Sequence, residues 1–187
     1  AVRYVKPVQT GLAPGAPGGD AGFVAAAAGG PADELLRYAE PLAPAVAAER
    51  AGRPIDAGTL VDAIRSREAG CDLLLVEGSG GLLVPLTDTM SMADLAGELQ
   101  AELVVVTRPG VGTLNQTALT LEAAARRDLP IAGLVVCGFP VESGVTERTN
   151  LERLEKMAPI LEVIPEMPGL EVERDVVESF WSALEDR

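Results

Sequence analysis

Short aliphatic runs alternate along the chain with longer segments in which apolar residues recur every three or four positions. The runs at residues 73–76, 103–107 and 131–137 are typical of strands that are buried on both faces of a parallel sheet. Helical spacing fills the segments between them, most clearly at residues 56–70 and 113–127. The alternation predicts an α/β fold with a three-layer, mostly parallel sheet flanked by helices.

The first forty residues are less regular. A strand is expected to end at Pro7, which lacks an amide donor. A loop rich in glycine, proline and alanine follows, and Asp20 is placed to cap a short helix at its end. Residues 33–38 are expected to add one or two helical turns. The chain therefore begins with a strand and several short helices.

The remaining elements are bounded by recognisable caps and breakers. Pro44 is expected to begin a helix at its first position, and Ser91 with Asp94 resembles a capping box. A short strand is expected to stop at Pro165. Further helices are expected at residues 45–51, 147–157 and 174–185. We expect all 187 residues to form a single domain.

Composition narrows the classes of function. The formal net charge is −13, the chain has no histidine, and its only lysines are Lys6 and Lys156. Binding to nucleic acid needs clustered basic residues, and a membrane helix needs about 20 apolar residues in a row. We therefore expect neither a nucleic-acid nor a membrane partner. The two cysteines form no disulfide framework, and no leader opens the chain, so a cytoplasmic location is expected.

Glu77 is the first candidate for chemistry. It follows the aliphatic run at residues 73–76 and precedes Gly-Ser-Gly-Gly, so it lies at the strand edge where α/β proteins bind ligands. A carboxylate there must be paired, protonated or bound to a metal if it is buried. Mg²⁺ would suit it, because that ion takes one or two carboxylates with phosphate oxygens and water. An ordinary glycine-rich turn is the alternative reading of residues 78–81.

Lys6, Asp20 and the loop at residues 110–115 are further candidates. Lys6 precedes a glycine-rich loop and could balance a phosphate or carbamate charge, or could be a solvated strand-end lysine. Asp20 could bind Mg²⁺, although on its own the helix cap is the favoured reading. The loop opens a helix whose first amides could bind an anion, or Thr113 merely caps that helix.

Several common catalytic arrangements are excluded by the sequence. Without histidine no Ser/His/Asp or Cys/His arrangement can form, and Ser79 lacks the Gly-x-Ser-x-Gly spacing of a nucleophile elbow. The phosphate-loop motif G-x-x-x-x-G-K-S/T does not occur.

Five segments in series resemble the dethiobiotin synthetase family. They are KPVQTG at 6–11, GD at 19–20, YAEPLAP at 38–44, VEGSGGLLVPL at 76–86 and GTLNQT at 112–117. The resemblance implies a P-loop NTPase fold and an ATP- and Mg²⁺-dependent homodimeric ligase of biotin biosynthesis. In that reaction 7,8-diaminononanoate takes up CO₂ as a carbamate, ATP phosphorylates the carbamate, and the second amine closes the ureido ring.

The resemblance also implies roles for individual residues. Lys6 would be catalytic, stabilising the carbamate and the transferred phosphoryl group, while Asp20 and Glu77 would hold Mg²⁺ and contact the nucleotide. The remaining implied site residues bind the substrate (Thr10, Gly78, Ser79, Gly80, Leu114, Asn115) or the adenine (Gly138, Pro165). Leu114 and Asn115 would come from the partner subunit and receive the substrate carboxylate.

Three departures from the family pattern bear on this expectation. The family opens with a strand, a Walker A loop and a helix, and this chain begins after them, so we expect an N-terminally truncated synthetase that alone forms no dethiobiotin. Ser79 replaces the usual alanine, and the CGFP segment at 137–140 carries no amide for adenine. The alternatives are a cobyrinate-synthase-type P-loop enzyme and a non-catalytic binding or dimerisation module.

Overall fold

The computed structural model describes residues 1–167. Contacts between residues divide the chain into two compact units, Ala1–Gln100 and Ala101–Arg187, and the single-domain organisation stays a prediction. The helix expected at residues 174–185 lies outside the described residues. No helix within residues 1–167 is long and apolar enough to cross a membrane.

The N-terminal unit, Ala1–Gln100, is built on a parallel three-stranded sheet. Its strands are β1 (Val2–Thr10), β2 (Ala32–Tyr38) and β3 (Leu73–Val76), in the order β2-β1-β3. Four helices accompany them: α1 (Asp20–Ala28), α2 (Pro44–Arg50), α3 (Ala57–Arg65) and α4 (Met92–Glu98). The central strand β1 therefore decides where the residues at the carboxyl edge of this sheet lie.

The prediction that the first strand ends at Pro7 is wrong, because β1 continues to Thr10. Pairing with β3 covers only Val2 to Val5, and the Val5 carbonyl accepts the Glu77 N–H at 2.9 Å. Residues two apart point their amides to the same side of a strand, so the missing Pro7 donor faces the β3 side beyond the end of the pairing. No ladder hydrogen bond is lost there.

The predicted helical turns at residues 33–38 are also wrong. This segment is β2, which pairs in parallel with β1 from Tyr4 opposite Ala32 to Thr10 opposite Tyr38. The seven residues of β2 include three charged ones, and their apolar positions follow neither the helical nor the strand period. The conformation is therefore decided by pairing with β1, 28 positions earlier in the chain.

Apolar faces of the helices close the core of this unit. Val5 and Val8 of β1 are fully buried with Ile64, and α3 contributes Leu60 and Val61 beside it as the helical spacing predicts. Asp56 caps α3 by accepting the Thr59 N–H at 2.7 Å, and the capping box of Ser91 and Asp94 at α4 is confirmed. In contrast to the prediction, β3 is half-buried, because it is an edge strand of this sheet.

The C-terminal unit repeats the same design in its described part, residues 101–167. Strands β4 (Leu103–Thr107), β5 (Ile131–Phe139) and β6 (Ile160–Pro165) form a parallel sheet in that order, with helices α5 (Thr113–Ala125) and α6 (Val145–Leu154). Leu134 and Val136 of β5 are fully buried with Leu154 of α6. The expected strand and helix positions are confirmed here, but the prediction that the strand at residues 103–107 is buried on both faces is wrong, since Val106 of β4 is 65% exposed. The α/β class is confirmed in both units.

Close packing at Gly133 gives a test of this second sheet. A Cβ at Gly133 would lie 2.6 Å from the Pro159 carbonyl oxygen and 2.8 Å from Leu161 Cγ. The carbonyl cannot move away freely, because it accepts the Leu134 N–H at 2.8 Å. We therefore expect Gly133→Ala to lower the free energy of unfolding by about 2 kcal/mol in urea denaturation followed by circular dichroism.

The matched control is Gly110→Ala in the same unit, where an added Cβ meets nothing within 4 Å. It should change the free energy of unfolding by less than about 0.5 kcal/mol. Equal stability of the two variants would contradict the packing described for β5 and β6.

Candidate functional site

Lys6 is the centre of the candidate site in the N-terminal unit. Its side chain is only 6% exposed, and its ammonium Nζ lies 2.7 Å from Asp20 Oδ2 and 2.6 Å from Glu77 Oε1. The same ammonium donates to the Gly78 carbonyl at 3.1 Å. One positive charge on β1 thus contacts both the start of α1 and the end of β3.

Asp20 does not cap helix α1, so the favoured reading of this residue is wrong. Gly19 is the N-cap, and Asp20 is the first helical residue. Its backbone N–H donates to Gln9 Oε1 at 2.9 Å, while its carboxylate pairs with Lys6. A residue at the first helical position points its side chain out from the helix start, which leaves the carboxylate available to the site.

Glu77 is held by two donors from β1. Besides Lys6, the Tyr4 hydroxyl donates to Glu77 Oε2 at 2.5 Å. Burial, followed by the hydrogen bond to Glu77 and the charges of Glu77 and Asp20, raises the pKa of Tyr4 far above its ordinary value. Tyr4 therefore keeps its proton and stays a donor, which fixes the orientation of the Glu77 carboxylate.

The charge state of Lys6 reflects two opposing effects. Burial disfavours the ammonium and would lower the pKa of Lys6, but the hydrogen bonds and charges of Asp20 and Glu77 outweigh burial and raise it. The site therefore contains a fixed ammonium at neutral pH, with two carboxylates that remain 42% and 48% exposed.

A cavity of about 380 Å³ is lined in part by Lys6. Polar groups and small or apolar side chains share its wall. The lining residues are Lys6, Val8, Gln9, Thr10, Pro41, Leu42, Ala43, Pro44, Ser79, Gly80 and Val84. The structure thus brings the predicted residues Lys6, Thr10, Ser79 and Gly80 to one cavity.

The loop at residues 78–81 is shaped by close contacts. The Ser79 hydroxyl donates to the Val8 carbonyl, which ties the loop to β1. Gly80 has φ +81°, and a Cβ there would lie 2.8 Å from Val84 Cγ2. Glycine is required at this point, and the loop is a fixed wall of the cavity.

The residues predicted from the second half of the chain lie in the C-terminal unit. Leu114 and Asn115 are in the first turn of α5, whose N-cap is Gly112. Thr113 does not supply the cap, because its hydroxyl is 2.6 Å from that of Thr107. The Thr107 hydroxyl also lies 2.9 Å from that of Thr117, so α5 is fastened to the end of β4.

Gly138 and Pro165 come together at the carboxyl end of β5 and β6. Pro165 is in register with Phe139, and the register shifts between Cys137 and Phe139, with Gly138 at φ +76°. The structure therefore places both residues predicted to contact adenine at the carboxyl ends of adjacent strands in the C-terminal unit.

Asp20 and Glu77 are suitable ligands for a hard cation. Both are part-exposed carboxylates that reach the same point at Lys6. Residues 1–167 contain no group of three or more His, Cys, Asp or Glu side chains that could hold a metal alone. The two carboxylates fit a Mg²⁺ ion that takes its other ligands from phosphate and water.

Three site residues were missed by sequence reasoning: Tyr4, Gln9 and Arg37. Tyr4 orients Glu77, and Gln9 holds the start of α1. Arg37 donates to the carbonyls of the loop before Asp20, at 2.5 Å to Ala16 and 3.0 Å to Gly18. Gln9 falls within the KPVQTG segment. Nothing local marks Tyr4 or Arg37 as site residues, because the Glu77 carboxylate and the carbonyls of Ala16 and Gly18 that they contact are far away in the sequence.

The sequence matches known proteins over most of its length. Residues 1–174 match the AAA domain family. The chain is 48% identical over 175 residues to the ATP-dependent dethiobiotin synthetase BioD of Parafrankia sp. (strain EAN1pec), which covers 91% of this chain and 73% of the relative. It is 44% identical over 169 residues to the BioD of Mycobacterium sp. (strain JLS), and that match covers 88% of this chain and 74% of the relative.

Among solved structures, the chain is similar to a ParA family ATPase from Chlorobium tepidum TLS. The TM-score is 0.53 at 16% sequence identity, and the match covers 97% of this chain and 75% of that chain. At this identity the likeness shows the fold alone, and it supports the P-loop NTPase-like α/β class.

Tyr4 and Tyr38 are the only tyrosines, so the role of Tyr4 as a proton donor can be tested by absorbance at 295 nm. In Tyr38→Phe, we expect no tyrosinate in the folded protein as the pH passes about 10, where an ordinary tyrosine is half ionised. The reason is that burial and Glu77 disfavour the phenolate.

The control is Tyr4→Phe, which retains Tyr38. That hydroxyl donates to the Arg53 carbonyl at 2.8 Å; burial raises the pKa of Tyr38, and Arg53 partly opposes the rise. We expect Tyr38 to ionise before Tyr4. A midpoint near pH 10 for Tyr4, with folding confirmed by circular dichroism, would contradict the contact with Glu77.

Proposed function

This chain belongs to the dethiobiotin synthetase family, and from that premise we propose how its residues carry out ATP-dependent closure of the ureido ring in biotin biosynthesis. The observation that carries the proposal is the buried Lys6 ammonium between Asp20 and Glu77 at the wall of a cavity. The substrates are 7,8-diaminononanoate, CO₂ and ATP.

The proposed reaction has three steps. One amine of the diamine adds to CO₂ and loses a proton, which gives a carbamate. A carbamate oxygen attacks the γ-phosphorus of ATP, and ADP leaves. The second amine then attacks the carbonyl carbon, the C–O bond to phosphate breaks, and loss of a proton gives the ring and inorganic phosphate.

Lys6 offsets the negative charge in these steps. Lys6 lines the cavity, so its ammonium is available to the carbamate oxygens and to the transferred phosphoryl group. Phosphoryl transfer depends mainly on positioning and on neutralisation of charge, and a side chain that is 6% exposed loses little of its effect to water. Lys6 is therefore the proposed catalytic residue.

Asp20 and Glu77 are the residues that would hold Mg²⁺ beside the nucleotide phosphates. When bound, the ion supplies positive charge to the phosphate oxygens. Tyr4 fixes the orientation of the Glu77 carboxylate, and Gln9 keeps the first residue of α1 in place. The protein thus presents two oriented carboxylates next to a fixed ammonium.

We propose that the diamine binds in the cavity of the N-terminal unit. Thr10, Ser79 and Gly80 line it, and Gly78 offers the carbonyl that accepts from Lys6. Leu42 and Val84 add apolar surface that suits an alkyl chain. Tethering both amines to one carbon chain makes ring closure intramolecular, so orientation lowers much of its barrier.

We propose that residues of the C-terminal unit bind the substrate carboxylate and the adenine. The first turn of α5, with Leu114 and Asn115, would receive the substrate carboxylate of the partner subunit in a homodimer, since helix N-termini favour anions. Gly138 and Pro165 would border the adenine. Their positions at the carboxyl ends of two adjacent parallel strands support this role.

We place this reaction in the cytoplasm. The two cysteines, Cys71 and Cys137, are free, which suits a reducing compartment.

The function is tested with the enzyme as its gene encodes it, supplied with diaminononanoate, bicarbonate, Mg²⁺ and ATP. Dethiobiotin formation, detected by mass spectrometry, is the expected result. In Asp20→Asn and in Glu77→Gln we expect kcat to fall by about 10²-fold or more, because each change removes a charged ligand from the site.

The matched control is Glu122→Gln. Glu122 is likewise an exposed carboxylate in an ion pair, 2.5 Å from Arg126. It lies on α5 seven residues after Asn115, about two helical turns from the proposed site residues of that helix. Its kcat should stay within about twofold of the parent, as is usual for a surface substitution. Turnover retained in Glu77→Gln would refute the metal role, and substrate binding by calorimetry without any turnover would favour a binding module.

A further inference from the structure

The loop that delivers Asp20 to the site has little structure of its own. Residues 11–19 contain four glycines in the left-handed region, Gly11, Gly15, Gly18 and Gly19, and no helix or strand. Such a segment has high conformational entropy when it is not anchored. Its position against the sheet must therefore come from contacts with other elements.

Arg37 of β2 supplies two of those contacts. Its guanidinium Nη1 donates to the Ala16 carbonyl at 2.5 Å, and Nη2 donates to the Gly18 carbonyl at 3.0 Å. Glu34 fixes the guanidinium itself, with Nε to Oε1 at 2.5 Å and Nη2 to Oε2 at 2.8 Å. The two side chains are only 18% and 16% exposed, so this bidentate pair is a rigid support.

Gly19 packs closely against this support. A Cβ at Gly19 would lie 3.1 Å from Arg37 Nη2, 3.1 Å from Glu34 Oε2 and 3.3 Å from Gln9 Oε1. Gly19 also has φ +102°, where a side chain is strained. The next residue is Asp20, whose N–H donates to Gln9. The loop clamp, which we define as Arg37, Glu34 and Gln9, thus ends directly at the site.

We propose that Arg37, held by Glu34, is a positioning residue that sets where the Asp20 carboxylate lies relative to Lys6 and thereby sets the enzyme's affinity for its divalent cation. This inference rests on the proposed metal role of Asp20. Arg37 itself touches neither Lys6 nor Glu77 among the described contacts, so its effect passes through the loop and the first residue of α1.

A purely structural role for Arg37 makes a different prediction. If the clamp only stabilised β2, its loss would lower the free energy of unfolding and leave the metal dependence of the folded enzyme unchanged. If it positions Asp20, the metal dependence changes while the KM for the diamine does not, because Arg37, Glu34 and Asp20 are not among the residues that line the cavity. The two roles are therefore separated by comparing the Mg²⁺ requirement with the KM for the diamine.

The experiment measures turnover of the enzyme as encoded against Mg²⁺ concentration, at saturating ATP and diamine. In Arg37→Met we expect the Mg²⁺ concentration for half-maximal rate to rise about 10- to 100-fold, which is the usual effect of removing a residue that orients a metal ligand. The KM for the diamine should stay within about twofold of the parent value. Arg37→Lys should not rescue the enzyme, because an ammonium lacks the fork that binds Glu34 and two carbonyls at once.

Arg50→Met is the matched control. Arg50 also pairs through Nε with a glutamate, Glu40, at 2.7 Å, but it is 57% exposed and donates to no loop carbonyl in the described contacts. Its Mg²⁺ dependence should equal that of the parent enzyme. Circular dichroism of all variants establishes that the compared proteins are folded.

A double-mutant cycle with Asp20→Asn closes the test, with Mn²⁺ binding followed by electron paramagnetic resonance as a readout independent of turnover. We expect Arg37→Met to weaken Mn²⁺ binding in the parent enzyme. In the Asp20→Asn background, the same substitution should raise the Kd for Mn²⁺ by less than about twofold. Equal effects in both backgrounds, or unchanged Mn²⁺ binding in Arg37→Met, would overturn the positioning role. Unchanged Mn²⁺ binding in Asp20→Asn would instead overturn the metal role of Asp20 and the inference that rests on it.

Discussion

One buried ammonium shared by two carboxylates organises the N-terminal unit. Lys6 brings together segments that are 14 and 71 positions away in the chain, at Asp20 and Glu77. An ammonium with so little exposure is costly unless it is paired, so the loop before α1 and the end of β3 must both reach it. The same constraint that stabilises the charge also collects the polar groups of the site.

The parallel sheet makes this convergence possible. Strand β1 lies between β2 and β3, so its side chains can receive support from both neighbours. On the β3 side, Tyr4 and Lys6 hold the Glu77 carboxylate. On the β2 side, Glu34 and Arg37 hold the loop that leads to Asp20. Each carboxylate thus has its own support, and the two carboxylates meet at the Lys6 ammonium.

Much of this site could be predicted from the sequence where a signal is local. An aliphatic run followed by Glu77 and glycines marks a strand end, and Asp56 and Ser91 mark helix starts through their own side chains. The conformation of β2 could not be predicted, because it depends on pairing with β1, as does the continuation of β1 beyond Pro7. The cap role predicted for Asp20 is wrong because Gly19 is the N-cap, and the Asp20 carboxylate pairs with Lys6 instead.

The most direct test of this account is the titration of Lys6 itself. With only Lys6 and Lys156 in the chain, ¹³Cε-labelled lysine gives two NMR signals, and Lys156→Arg identifies the one from Lys6. The two carboxylates raise the pKa of Lys6 in spite of its burial, so its signal should titrate above about 10.4, the ordinary lysine value. A midpoint below that value would show that burial outweighs pairing, and it would contradict a shared ammonium at the centre of the site.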